Sequence, residues 1–295
     1  MDEKVLSKAE LQNVLEKEIP EAEMVLVGLG EEFDLCKDEK DLALVESVLA
    51  ECDAAWLMPE VRNGLRKCNQ MSDEGKHVAL LKELANRLQG KNYYVLCMAG
   101  NREIAEISWR EGRLVAPCGF GTKKQCVLAC EGEEPKELTE EETKEIVSAT
   151  EKFLSVAEIY KNTDLRMGEE NSAQGQWGDL PPQVREAMEL IQRREKIRTA
   201  ALKYKKKCEG ILGTCPSCGA QEVLNDMLAP KYDQRGYLAD WTKYTKWLYG
   251  SMNRKLLILG LGSSNQHPEL LQGAFQKMAE LHAKANYYQF KLFEE

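Results

Sequence analysis

Two short apolar runs that end in glycine restrict the fold of this chain more than any other feature. Glu23-Met24-Val25-Leu26-Val27-Gly28-Leu29-Gly30 and Lys255-Leu256-Leu257-Ile258-Leu259-Gly260-Leu261-Gly262 are, after their charged first residues, apolar at consecutive positions up to the glycines, not at alternate ones. Such a strand hides both of its faces, as strands do in a parallel sheet covered by helices on either side. A third run, Asn92-Tyr93-Tyr94-Val95-Leu96-Cys97-Met98, leads into Ala99-Gly100-Asn101, and a fourth is Asn286-Tyr287-Tyr288-Gln289-Phe290. Helical spacing marks residues 6–17, 38–51, 76–89, 237–249 and 270–284 between them. Strands alternating with helices predict an α/β fold with a doubly wound parallel sheet. In such a sheet ligands sit at the carboxyl ends of the strands, where the glycine turns lie.

A length of 295 residues suits one large domain with an insertion. The net charge of −9 argues against a general nucleic-acid binder, which needs a basic face to neutralise phosphates. Lys203, Lys205, Lys206 and Lys207 form a local exception, read here as the solvated end of a helix where cations meet the negative end of its dipole. No segment approaches the roughly 18 consecutive apolar residues of a membrane helix. The start, Met1-Asp2-Glu3-Lys4, has no leader character, so a cytoplasmic protein is expected. Ten cysteines in a reducing compartment are better read as thiols and metal ligands than as disulfides.

Two cysteine pairs have ligand spacing. Cys126 and Cys130 are C-x3-C, and Cys215-Pro216-Ser217-Cys218-Gly219 is a C-x2-C knuckle. Four thiolates close a tetrahedral site, so the expected metal is structural zinc in a ribbon-like module, with Cys208 as a substitute ligand. Unrelated buried thiols are the alternative, because free cysteine packs as a small hydrophobe. Between the pairs runs a charged helical stretch, residues 136–207. Thr139 with Glu142 is a capping-box start, and Asp179 before Pro181 and Pro182 is a second start. The polar piece from Gly168 to Gly178 is expected to be a loop.

Gly28-Leu29-Gly30 and Gly260-Leu261-Gly262 each place glycine after a strand, where backbone can approach a phosphate. Neither completes G-x-G-x-x-G, since Phe33 and Asn265 occupy the third position. The order of these features resembles the sirtuin family, the NAD-dependent protein deacylases, in its bacterial form. The residues that carry the resemblance are Gly28-Leu29-Gly30, Asn101-Arg102-Glu103, Cys118-Gly119, Cys126/Cys130, Cys215/Cys218 and Gly260-Leu261-Gly262-Ser263-Ser264, with Asn265, Pro268 and Phe275 beyond. The resemblance implies a Rossmann-like domain from residues 1–125 and 219–295, and a zinc-ribbon module with a helical insertion over residues 126–218. It also implies NAD or ADP-ribose in the cleft. Gly28 and Gly30 would lie at the pyrophosphate, Gly260, Gly262 and Ser263 near the adenosine ribose and phosphate, and Asn101 at the nicotinamide ribose.

The departures from the family bear on chemistry. Cys118 stands where a sirtuin has its catalytic histidine, and a neutral thiol is a poor base. Glu103 replaces the family's aspartate. Glu31-Glu32-Phe33-Asp34 replaces the cofactor loop and would repel a pyrophosphate. The three histidines, His77, His267 and His282, do not supply the base, and only His267 falls beside a glycine turn. The expected function is NAD or ADP-ribose binding with deacylase chemistry weakened or lost. Two alternatives stand beside it. One is an active NAD-consuming deacylase, ADP-ribosyltransferase or NAD hydrolase acting through Asn101, Glu103 and Cys118. The other is a non-enzymatic scaffold that meets a protein partner through the helical insertion. No membrane or nucleic-acid partner is expected.

Overall fold

The computed structural model describes residues 5–6, 8–34, 39–68, 73–100, 102–157, 181–262 and 268–291. In chain order the elements are β1 (Val5–Leu6), α1 (Lys8–Glu21), β2 (Met24–Leu29), α2 (Glu39–Glu51), α3 (Met58–Cys68), α4 (Asp73–Arg87), β3 (Asn92–Cys97), α5 (Arg102–Ala105) and β4 (Leu114–Val115). There follow β5 (Lys123–Cys126), β6 (Lys136–Glu137), α6 (Glu140–Val156), α7 (Pro182–Leu212), β7 (Glu222–Leu224), α8 (Arg235–Tyr249), β8 (Leu256–Leu261), α9 (Gln272–Leu281) and β9 (Ala285–Phe290). Among the described residues, no helix is long and apolar enough to cross a membrane.

The main sheet has the order β1-β9-β8-β2-β3-β4, and all of its pairings are parallel. The four apolar runs are its four full strands, β2, β3, β8 and β9. The two central strands are buried along their whole length, β2 between β3 and β8, and β8 between β2 and β9. Their side chains divide between two layers, as the twofold pleat requires. Val25, Val27 and Leu29 face α1 and α4 through Leu11, Leu15, Leu81 and Leu84. Met24 and Leu26 face the other way, toward Tyr244 of α8 and Phe275 of α9. Gly28 lies on that second side. A Cβ built there would fall 2.3 Å from the Phe275 ring and 2.6 Å from Leu271. The glycine is needed to seat α9 against the strand.

The charged stretch forms an antiparallel hairpin of α6 and α7. Its start is the predicted capping box: Glu142 N–H donates to Thr139 Oγ1 at 3.1 Å, and Thr139 N–H donates to Glu142 Oε2 at 2.8 Å. Pro182 opens α7, as proline at a first helical position favours. The Gly168–Gly178 stretch lies outside the described residues. The hairpin does not stand apart from the rest. Ile146, Leu154, Ile197, Ala201 and Leu212 share one core with Val45, Leu49, Trp56, Leu57 and Val61 from α2, α3 and the turn between them. Each large side chain among them contributes roughly 1.5–3 kcal/mol of burial, so packing against this shared core holds the hairpin in place.

A small antiparallel sheet, β6-β5-β7, sits at the root of the hairpin. Lys124 on β5 is the joint. Its ammonium donates to Glu142 at the head of α6 (2.9 Å) and to the Leu212 carbonyl at the end of α7 (3.1 Å), and it pairs with Glu222 on β7 (2.9 Å). Burial acts to lower the Lys124 pKa, but the Glu222 and Glu142 carboxylates more than offset this and raise it.

Two predictions follow from the packing. Gly28→Val should cost about 1–3 kcal/mol of unfolding free energy through overpacking, and Phe275→Leu should restore part of the loss in the double variant. Urea denaturation of the three variants checks this. Burial raises the Glu142 pKa, but the Thr139 N–H, the Lys124 ammonium and the Thr139 hydroxyl outweigh it, so the folded value lies below 4.5. Its contribution is therefore complete above pH 4.5 and fades as the pH falls through the folded value. Glu142→Gln should be less stable than the parent at neutral pH, and thermal melts across the acid range should show the difference closing.

Candidate metal centre and ligand crevice

Cys126 ends β5 and begins a tight turn. The Ala129 N–H donates to the Cys126 carbonyl at 2.8 Å, and Ala129 adopts φ 46° to bring Cys130 back over the strand end. The second pair sits on the matching turn before β7. Cys215 N–H donates to the Ala220 carbonyl at 2.7 Å, and Gly219 N–H to the Cys215 carbonyl at 2.8 Å. Gly219 has φ 73°, a conformation open to glycine at little steric cost. The four sulfur atoms all lie within 4.8 Å of one another. Cys126 and Cys218 are 3.5 Å apart, as are Cys130 and Cys215. A tetrahedral ion with metal–sulfur bonds of about 2.3 Å sets sulfurs about 3.8 Å apart. The cluster can therefore hold a metal ion such as zinc.

The thiols are electrostatically unlike. Burial pushes Cys126 upward, but N–H donors from Cys130 and Leu128, with the Cys218 thiol, bring it down to about 7. Cys130 is pushed up to about 12, first by its contact with Cys215 and then by burial. Arg235 braces the first turn from behind. Its guanidinium donates to the Cys130 carbonyl (2.8 Å) and the Glu133 carbonyl (2.9 Å) while paired with Asp233 (2.6 Å). Cys208 is elsewhere, fully buried on α7 in the hairpin core.

The glycine turns meet at the carboxyl ends of β2 and β8. Gly30 N–H donates to the Leu261 carbonyl (2.9 Å), and Gly262 N–H donates to the Phe290 carbonyl (2.7 Å). Gln289 adds a bond from Nε2 to the Gly262 carbonyl at 3.0 Å. Both turns thus use their amides to prolong the sheet. A Cβ at Gly260 would fall on the Gln289 side chain, so Gly260, like Gly28, makes room for the protein's own side chain. Glu31–Asp34 forms a single turn of 3-10 helix directly after Gly30, with Glu32 buried.

The remaining predicted residues separate. Asn101, Ser263 and His267 lie outside the described residues. Glu103 is half-buried on α5 beside a narrow cleft that Glu60, Asn63 and Arg102 also line. Cys118 is buried in the apolar layer with Val115 and Tyr244. Tyr232, whose hydroxyl donates to the Pro117 carbonyl at 2.7 Å, is raised above the usual phenol range by burial first and then by Cys118 nearby. His77 is on α4, and His282 is buried, with its Nε2 2.6 Å from the Ser251 carbonyl.

A polar network beneath the carboxyl ends of the strands escaped the sequence reading. Arg102, buried at the start of α5, pairs with Glu60 at 2.6 Å and donates to the Gly121 carbonyl at 2.8 Å. Asn63 Oδ1 accepts from the Arg102 N–H (3.1 Å) and from Arg66 Nη2 (2.5 Å), and Arg66 Nη1 reaches the Phe33 carbonyl at 3.5 Å. These bonds tie the segments after β2, β3 and β4 to α3. The available signal was Glu60, Asn63 and Arg66 at three-residue steps, a polar stripe along a helix that buries Val61 and Leu65.

No protein-family model and no curated protein matches this chain. If the cluster is a metal site, the purified protein should carry one equivalent of zinc, and Cys126→Ser or Cys218→Ser should lose it. Metal analysis together with the melting temperature before and after chelation checks both points. A metal-free parent with an unchanged melting temperature would contradict the assignment.

Proposed function

We propose that this chain is a sirtuin-like protein that binds NAD or ADP-ribose in a Rossmann-like crevice between β2 and β8, and that its deacylase chemistry is lost. The supporting observation is the reversal of strand order at β2. From β2 the chain passes to β3 and β4 on one side, and later fills the other side with β8 and β9. In open parallel sheets the ligand crevice lies at such a reversal, outside the carboxyl ends of the two strands that flank it. Gly30 and Gly262 directly follow those two strands. The sirtuin-like order of the glycine turns, Asn101-Arg102-Glu103, Cys118 and the two cysteine pairs supports the same reading. Arg102 offers unused donors at this end of the sheet, since its Nε and Nη1 are buried and have no partner among the described residues.

Loss of catalysis rests on Cys118. A thiol buried in an apolar cluster packs as a small hydrophobe and is not set to take a proton from a cofactor ribose. Within this reading the cysteine cluster is a zinc ribbon, and its metal is structural because four thiolates leave no open coordination position. A second reading, an interaction scaffold without cofactor, is favoured by one observation: the Gly30 and Gly262 amides are already bonded within the sheet.

Calorimetric titration of the zinc-loaded protein with NAD and with ADP-ribose separates the readings. Micromolar binding is expected, with no NAD-dependent deacetylation of an acetyl-lysine peptide. Absence of heat with either ligand would favour the scaffold. NAD-dependent turnover abolished by Cys118→Ser would establish an active enzyme instead.

A further inference from the structure

The two turns that carry the cysteine cluster are set opposite each other by backbone, not by sulfur. β5 and β7 pair with Gln125 opposite Val223 and Cys126 opposite Glu222. Beyond the paired strands the Val127 N–H donates to the Gln221 carbonyl at 3.0 Å, and Thr214 bridges to Gln221. Lys124 ties β5 to both long helices, and Arg235 holds the Cys130 carbonyl. This frame keeps the four thiols within reach of one another and asks nothing of the sulfur atoms themselves.

Within the frame the sulfur contacts have a direction. Both contacts at 3.5 Å run from one turn to the other, Cys126 to Cys218 and Cys130 to Cys215. Each joins a buried cysteine to a more accessible one: Cys126 and Cys215 are buried, Cys130 is half-buried and Cys218 is exposed. The other described cysteines, Cys52, Cys97, Cys118 and Cys208, are all buried. Among the described cysteines, an oxidant arriving from solvent therefore meets Cys218 first, with a second thiol 3.5 Å behind it. A sulfenic acid formed beside a thiol condenses to a disulfide. A disulfide bond is about 2.05 Å long, so each pair closes by a sulfur movement of about 1.5 Å, which side-chain rotation supplies.

We propose that this cluster is a redox clamp: hydrogen peroxide converts it into two disulfides, Cys126–Cys218 and Cys130–Cys215, which release any ion the thiols hold and keep the root of the hairpin closed. The Cys218 sulfur attacks one peroxide oxygen. An S–O bond forms, the O–O bond breaks, and water leaves with the thiol proton, which gives a sulfenic acid. The Cys126 sulfur then attacks the Cys218 sulfur. An S–S bond forms, the S–O bond breaks, and a second water carries away the Cys126 proton. The two sulfurs together give up two electrons, and the peroxide takes them. Cys130 and Cys215 consume a second peroxide in the same way, with Cys130 as the point of entry. A metal is held by thiolates, and disulfide sulfurs carry no such charge, so an ion in the cluster is set free. The links join residues 92 and 85 positions apart, so they close the whole α6–α7 excursion covalently. The proposal rests on the cysteine cluster and is independent of the crevice at β2 and β8.

The test treats the full-length protein, purified under reducing conditions, with one hydrogen peroxide per thiol pair, and maps its peptides by mass spectrometry without reduction. Links Cys126–Cys218 and Cys130–Cys215 within one chain are expected. From zinc-loaded protein, a chelating dye should report metal release in step with the loss of thiols, and dithiothreitol should restore both the thiols and zinc uptake. The oxidised protein should melt about 5 °C or more above the reduced, metal-free protein, because each link closes a long loop. Cys218→Ser should lose the first link and keep Cys130–Cys215. The mapping of the parent needs no variant and decides with or without zinc. Links within one turn, Cys126–Cys130 or Cys215–Cys218, would overturn the proposal. So would links between chains, oxidation of Cys218 that runs to sulfinic acid without a link, zinc retained by the linked protein, or a linked protein that melts no higher than the reduced, metal-free one.

Discussion

The meeting of Cys126 and Cys130 with Cys215 and Cys218 governs how the middle of this molecule is built. Between the two pairs the chain leaves the sheet, forms α6 and α7, and returns to within bonding distance of its point of departure. Closing so long an excursion carries an entropic cost that grows only slowly with its length. The three-stranded sheet beside the cluster offsets that cost locally, and a metal ion held by the four thiols would add to that offset. Lys124 extends the same closure into the hairpin, since it binds the first turn of α6 and the last turn of α7 at once. The hairpin is therefore clamped at its root, while the rest of it is held by packing against α2 and α3.

The sheet is governed by a different constraint. β2 and β8 are buried on both faces and on both edges, so every position must suit a neighbour on each side. Gly28 and Gly260 answer to that demand through Phe275 and Gln289. The glycines that follow the strands, Gly30 and Gly262, extend the ladder by one more bond each. A glycine-rich strand end can thus serve packing first, and ligand approach depends on what surrounds it.

Much of this architecture was legible because it rests on local signals. The apolar runs became β2, β3, β8 and β9, the Thr139–Glu142 pair became a capping box, and the cysteine spacings produced one cluster. What could not be read depends on contacts between distant segments. Nothing in the charged stretch says that Ile146 and Ile197 will meet Val45 and Val61, because helical spacing reveals which residues a helix buries and not against what. The Arg102 network was hidden for a similar reason. Its members come from α3, α5 and the segments after β2 and β4, and only the fold brings them together. Cys118 shows the limit from the other side: its place in the order of motifs was readable, but its apolar surroundings were not.

The parallel pairing of β2 with β8 has a consequence for how the chain comes into being. Met24 pairs with Leu256, so β8 reaches the ribosome exit only after the cysteine pairs and both long helices have been made. Until then one edge of β2, apolar on both faces, has no partner strand. The helical core and the cysteine cluster can already be in place, because all of their residues precede β8. The sheet must wait for a pairing of very large sequence separation, the slow kind of step in folding and the one most exposed to misassociation. Newly synthesised chains thus pass through a stage with a finished helical half and an unfinished sheet, and at that stage the β2 edge is the surface in need of protection.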